Sequence, residues 1–309
     1  MRIAGEVLVP GSVANLGGGF DTLAVAVDLY LRVRIVEVRD DGGSRLIVRR
    51  SEPAVSGQNR VEVGFETVAR RTGRRAPSVF VEVESDIPMA AGLGSSAAAA
   101  VAGMRVFERV TSNVPESVLL AAATAIEGHA DNAAAALRGG LTSVVEQDDG
   151  TTIILGWPWP DELRLIVATP DTPLATATAR AALPDVVSRK DAVFNLQRVL
   201  SLMHALQSGD YDCLRQAVRD RWHQPARAAL VPQLGPALAL SDPEVLGAFL
   251  SGAGPSVALL ARRDFPRLER LLRSLYDEAG CAVVVRTLRV QPSSDVTLDA
   301  VATAHGRTI

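Results

Sequence analysis

An α+β fold is what this sequence predicts, on three observations. Short β-branched runs and helical runs follow one another without the regular alternation of a doubly wound sheet. The 309 residues are 48% hydrophobic and 22% charged, ordinary values for a packed soluble protein. A chain of that length can bury a large core, as one large or two smaller domains. There is no internal repeat, low-complexity tract or coiled-coil heptad.

The elements follow in order. Val7 to Val9, Leu29 to Val38, Ser44 to Arg49 and Val79 to Glu84 read as strands, from their β-branched content and partial alternation. Asn59 to Thr72 has its apolar residues on one helical face. Ser96 to Val110 is Ala-rich, free of proline and opened by serines, so it reads as a helix. Pro115 suits a first helical turn, which places another helix over Glu116 to Ile126. Gly139 and Gly140 break the chain before a strand from Leu141 to Val145. Gly156-Trp157-Pro158-Trp159-Pro160 reads as a turn or linker, and strand resumes from Leu163 to Thr169. Helices are expected over Asp191 to Gln207 and Tyr211 to Arg221. The end reads strand, helix, strand over Ser256 to Ala261, Pro266 to Ala279 and Cys281 to Thr287.

Composition excludes several functions. A net charge of −3 gives no basic footprint for nucleic acid or a membrane surface. Cys213 and Cys281 are isolated, form no metal-binding pattern, and suit a reducing cytoplasm. Met1 to Pro10 lacks the pattern of a secretory leader, and the Ala-rich stretches are too short for a membrane span. Lys190 is the only lysine. A Walker loop and a protein-kinase strand both need a lysine in a motif that is absent here. Any binding of nucleoside triphosphate must use another device.

Four segments carry candidate chemistry. Pro88-Met89-Ala90-Ala91-Gly92-Leu93-Gly94-Ser95-Ser96-Ala97, with Ala98 after it, joins a strand to a helix start. Its glycines permit positive φ and close backbone approach, and the exposed helix-start amides favour an anion. Ser95 and Ser96 add hydroxyls for phosphate oxygens or a metal. Pro10 to Asp21 holds three glycines between Asn15 and Asp21, a tight loop with one amide and one carboxylate. Alone it would equally suit a hairpin in which both residues cap turns. Glu127-Gly128-His129-Ala130-Asp131-Asn132 packs two acids, an imidazole and an amide together. A carboxylate beside phosphates points to Mg²⁺, while a helix-helix junction with Asp131 as N-cap accounts for it as well. Ser251-Gly252-Ala253-Gly254-Pro255-Ser256 is either a turn over a ligand or close backbone packing.

Together and in this order, the four segments resemble the GHMP kinases, along nearly the whole chain. That family includes kinases of galactose, homoserine, mevalonate and phosphomevalonate. Its Gly-Leu-Gly-Ser-Ser-Ala loop wraps the phosphates of ATP without a lysine. Several strings are similar to the homoserine-phosphorylating members: the Pro10 to Asp21 loop, Glu127 to Asn132, Thr178 to Pro184, and His223-Gln224-Pro225-Ala226-Arg227 before Leu230-Val231-Pro232. Three positions depart from the common pattern: Gly18 for proline, Ala24 for glycine, and Ala91 for arginine.

The resemblance implies an N-terminal domain over 1–160, of the ribosomal protein S5 domain 2-like kind, and a ferredoxin-like domain over 161–309. It implies phosphorylation of the side-chain hydroxyl of L-homoserine by ATP and Mg²⁺. Asn15, Asp21 and His129 would face the homoserine, and Arg180 and Arg227 would hold its carboxylate. Pro88 to Ala98 would hold the phosphates, Ser96 and Glu127 would ligate Mg²⁺, and Asn59 would lie near the adenine. Where relatives have a basic aspartate, this chain has Asn132, which cannot take a proton; Asp21 would assist the hydroxyl or only bind. A cytoplasmic homodimer is expected. The alternatives are a GHMP kinase for another small alcohol and a non-catalytic ATP-binding member.

Overall fold

The structure is a computed structural model that describes residues 5–293. The first four residues of the Met1 to Pro10 stretch, and residues 294–309 of the expected second domain, lie outside them.

The first sheet has six strands. They are β1 (Gly5–Ala14), β2 (Leu23–Arg39), β3 (Leu46–Glu52), β4 (Ser78–Ser85), β5 (Leu141–Glu146) and β6 (Thr152–Trp157), with path β3-β4-β2-β5-β6 and β1 on β2. The 17-residue β2 is shared: Leu31–Arg39 pairs with β4, Leu23–Val25 with β5, and β1 runs antiparallel along Ala24–Ile35. Only β3 and β4 are parallel, joined through α1 (Arg60–Thr72). The Asn59 side chain accepts from the Val61 amide at 3.0 Å, so it caps α1 instead of lying within it.

α2 (Ser95–Val110) carries the phosphate-type loop at its start. Ala98, Ala100, Val101, Ala102, Met104, Val106 and Phe107 are all fully buried, so it is a central helix covered nearly all round. Gly64 and Gly103 let α1 and α2 touch backbone to backbone. A Cβ at either would meet a carbonyl oxygen of the other helix at 1.9 Å. α3 (Glu116–Glu127) and α4 (Asp131–Arg138) complete this half.

The second sheet has order β10-β7-β9-β8: β7 (Arg164–Pro170), β8 (Gly247–Leu250), β9 (Val257–Ala261) and β10 (Val283–Leu288), all antiparallel. Its two faces serve two cores. Leu165 and Val167 join the main core, while Ile166 and Ala168 pack with Leu268, Leu272 and Tyr276 of α10 (Phe265–Asp277). Burial on both faces explains the continuous apolar run over residues 165–168 of β7 and throughout β9. Between β7 and β8 lie α5 (Thr176–Ala181), α6 (Arg189–Ser208), α7 (Leu214–Ala217), α8 (His223–Arg227) and α9 (Leu234–Leu238). After β10 the chain returns to the first sheet. Gln291 N–H donates to Ala26 O at 2.9 Å, and its carbonyl accepts from Gly140 at 2.7 Å.

Three expectations are corrected. β1 runs on through Pro10 and Gly11 to Ala14, with a register shift between Pro10 and Gly11 that accommodates the proline. Gly156 and Trp157 are not linker but the end of β6, where the Trp157 indole donates to Ser143 Oγ at 2.8 Å. The stretch Tyr211 to Arg221 is not one helix. A short 3₁₀ turn (Tyr211–Cys213) leads into α7, which stops at Ala217 because Asn195 and Asp220 bind the backbone of Arg221, Trp222 and Gln224. Among the described residues, no helix is long and apolar enough to cross a membrane.

Candidate active site

The four loops singled out in the sequence meet at one cavity of about 240 Å³ between the two sheets. It is lined by residues that include Asn15, Asp21, Gly92, Ser96, Glu127, His129, Asn132, Arg180 and Arg227.

The Gly-rich loop forms one wall. Gly92 has φ +74, and a Cβ there would meet Ser251 O at 2.3 Å; Gly94 has φ +71. Only glycine fits either position. Ser251 Oγ donates to Gly92 O at 2.7 Å, and the Leu174 amide to Ala90 O at 3.1 Å, so the second half of the chain holds the loop in place. Gly94 caps α2 without a side-chain acceptor, and the first helical bond is Ala98 N–H to Gly94 O at 2.9 Å. The amides of Ser95, Ser96 and Ala97 are therefore left to a ligand at the positive end of a 16-residue helix. Ser95 and Ser96 thus stand in the first turn and do not cap it. Pro88, Met89, Leu93 and Ala98 frame the loop; Leu93 and Ala98 are buried in the core and Met89 is half exposed.

Ser96 Oγ donates to Glu127 Oε1 at 2.8 Å, at the rim of the same cavity. A hydroxyl and a carboxylate side by side, next to free helix-start amides, are the hard oxygen donors that Mg²⁺ takes together with phosphates. The residues fit that ion. A second cavity of about 180 Å³ shares Ser95 and Ser96 with the first and is walled by Leu31, Val61, Val83, Met89 and Ala99. Asn59 lines it, so the cap of α1 stands at an apolar slot continuous with the phosphate-type loop.

The opposite wall is charged. Arg180 grips Asp21 through two bonds, Nη2 to Oδ1 at 2.8 Å and Nη1 to Oδ2 at 3.0 Å. Each was expected to face a ligand alone; here each satisfies the other. Arg227 is 2% exposed. Its Nε donates to Ala179 O at 3.1 Å, and its Nη1 to Gly252 O at 3.0 Å and His223 Nδ1 at 3.2 Å. Among the described residues no carboxylate pairs with it. Burial, then the nearby Arg180 charge, pulls its pKa below the usual arginine value, against Asp21, Asp220 and Asp131. His223 is held neutral by burial, so its Nε2–H donates to Gly17 O at 2.8 Å and its Nδ1 accepts from Arg227.

Asn15 is buried with φ +74, and both ends of its side chain are used. Nδ2 donates to Gly252 O at 2.9 Å, and Oδ1 accepts from the Asp21 amide at 3.0 Å. It holds the first loop against the fourth. His129 Nδ1 meets Asp131 Oδ1 at 2.6 Å. Burial lowers the His129 pKa, but the bond and charge of Asp131 outweigh it, and the net direction is upward. Asp131 is the first residue of α4 and does not cap it; Ala130 does. Asp21, His129 and Asp131 each bring a polar atom within 4.8 Å of the others.

Leu174 and Thr176 lie outside the segments singled out in the sequence and also line the cavity, as do Phe20 and Ala253 within them. The Phe20 ring lies 5.4 Å from the Arg227 guanidinium and 5.7 Å from that of Arg180. Thr176 stands one helical turn before Arg180 on α5, and that spacing was the available signal.

Comparison with known proteins agrees with this arrangement. Residues 59–140 match the GHMP kinases N terminal domain and residues 202–280 the GHMP kinases C terminal domain. A homoserine kinase of Solibacter usitatus is 36% identical over 89% of this chain and 90% of its own length. One of Thermus thermophilus is 37% identical over 83% of this chain and 87% of its own. The crystal structure of homoserine kinase from Cytophaga hutchinsonii superposes with a TM-score of 0.81 at 25% identity, covering 94% of this chain and 96% of that one. With a relative above one-third identity matched along nine-tenths of its length, in a two-domain α+β fold shared throughout, the chain belongs to the homoserine kinases of the GHMP kinase family.

Proposed function

We propose that the cavity binds L-homoserine beside the phosphates of ATP and directs transfer of the γ-phosphoryl group to the side-chain hydroxyl, giving O-phospho-L-homoserine. The observation that carries this is Arg227, a buried guanidinium that faces the cavity with no carboxylate partner among the described residues and with a second guanidinium nearby. A substrate carboxylate supplies the missing charge. Arg180 helps to hold that carboxylate while keeping Asp21 in place. Asp21 then takes the ammonium end, with Asn15 holding its loop in place and His129 beside it.

Phosphoryl transfer through a loose transition state asks mainly for alignment and charge neutralisation. The amides of Ser95 to Ala97 and the loop Pro88 to Ala98 hold the phosphates. Asn59 and the apolar slot take the adenine. Ser96 and Glu127 would hold Mg²⁺, which neutralises phosphate charge when bound. Asn132 sits at the reacting end and offers an amide, not a base. The hydroxyl proton therefore passes to the phosphoryl oxygens, and Asp21 in the same cavity eases it as an anion. The two sheets each found a domain, divided near residue 160. Family membership supports a homodimer in the cytoplasm.

The test compares L-homoserine with 3-aminopropan-1-ol, which keeps the amine and hydroxyl but lacks the carboxylate. Loss of the carboxylate lowers kcat/KM by roughly a hundredfold or more, the scale of a charge-assisted buried pair. Equal turnover of the two would sink the role of Arg227.

A further inference from the structure

We propose that Ser12 is a positioning residue for phosphoryl transfer, acting through the side chain of Asn132. The inference rests on the reading above that Asn132 stands at the reacting groups.

Ser12 is fully buried on β1. Its hydroxyl donates to Asn132 Oδ1 at 2.8 Å, across 120 residues of chain. Its amide donates to Leu93 O at 3.0 Å, inside the Gly-rich loop. A Cβ at Gly94 would lie 2.2 Å from Ser12 Oγ and 3.1 Å from Asn132 Oδ1. One hydroxyl thus fills the space between the loop glycine and the amide, and a methyl group there has no room.

An asparagine amide has two ends of opposite polarity and nearly equal shape. Two contacts fix which end points where. Asp131 Oδ1 accepts only, and it lies 3.3 Å from Asn132 Nδ2. Ser12 gives its proton to the other end. The amide is thereby held with its N–H₂ edge as the donor in the cavity that Ser95 and Ser96 also line, where phosphoryl oxygens need donors. Without the Ser12 hydroxyl, Oδ1 is a buried acceptor without its partner, and the amide is free to turn a carbonyl towards an anion.

The test is steady-state kinetics of the whole enzyme with Mg·ATP and L-homoserine. Ser12→Ala lowers kcat by about five- to a hundredfold while KM for both substrates stays within about twofold. Ser12→Cys, nearly the same shape with a weaker donor, falls between Ser12→Ala and the parent, and serves if the alanine variant does not fold. Ser12→Ala combined with Asn132→Ala is no slower than Asn132→Ala alone. Losses that multiply in the double variant, or a kcat unchanged by Ser12→Ala at an unchanged active fraction, overturn the inference and leave the proposed function standing. A parent rate in Asn132→Ala overturns the role of Asn132 and this inference together.

Discussion

Replacing Arg227 by alanine is the most informative single perturbation of the site. Arg227 is buried and makes three hydrogen bonds to the protein, to Ala179 O, Gly252 O and His223 Nδ1. Two consequences follow, and they act on different observables. Stability falls through the three lost bonds, at about 1 kcal/mol each, offset in part by removing a costly buried charge. Substrate binding falls because the carboxylate is left without its partner in a desolvated site. Truncating one side of such a pair costs about 2–5 kcal/mol, or roughly thirtyfold to several-thousandfold in KM for L-homoserine. KM for ATP should move by less than about threefold, since the phosphate-type loop has no bond to Arg227 among those described. The assay is coupled ADP release with each substrate varied in turn, with a thermal melt to correct for folded fraction. 3-Aminopropan-1-ol closes a cycle: lacking the carboxylate, it should be turned over almost equally by the parent enzyme and the variant. An equal penalty for that analogue, or an equal rise in KM for ATP, refutes the carboxylate role.

Two further predictions concern the opposite wall. Asp21→Asn breaks the two-bond grip of Arg180 and should raise KM for L-homoserine by about tenfold or more while kcat falls by less. A collapse of kcat at unchanged KM would make Asp21 the base. The raised pKa of His129 carries a sign for stability. Asp131 holds the protonated ring in the fold more strongly than burial opposes it, with Asp21 adding to this and Arg180 opposing it. That contribution is fully present below the ordinary histidine value of 6.5 and is lost as pH rises through the higher folded value. Melting temperature should therefore fall with rising pH above 6.5 more in the parent enzyme than in His129→Gln. Parallel curves would show that the bond to Asp131 does not select the charged ring.

Much of this was readable from residue order, and the limits have physical causes. The loop Pro88 to Ala98 was legible because glycines and serines at a strand-to-helix junction have few other uses. α1 was legible because its apolar residues fall on one helical face, while the role of Asn59 as its cap emerged only in the structure. What stayed hidden depends on contacts far apart in sequence. Arg180 and Asp21 are 159 residues apart, and each read as a group awaiting a ligand. Ser12 fell within the Pro10 to Asp21 segment, which read as a tight loop. A register shift between Pro10 and Gly11 carries the strand on to bury the hydroxyl. The spacing of His223 and Arg227 was readable on α8, but the tautomer that lets His223 accept from Arg227 exists only once Gly17 O, 206 residues away, accepts from its other nitrogen.

The most direct measurement is an acceptor panel: L-homoserine, mevalonate, shikimate and galactose with Mg·ATP, read by ADP release and by ³¹P NMR of the product. The account predicts that L-homoserine has the highest kcat/KM and yields a phosphate ester on the side-chain oxygen. Galactose, with no carboxylate for Arg227, should give none above background. Preference for another alcohol, or ATP binding without turnover of any acceptor, would contradict it.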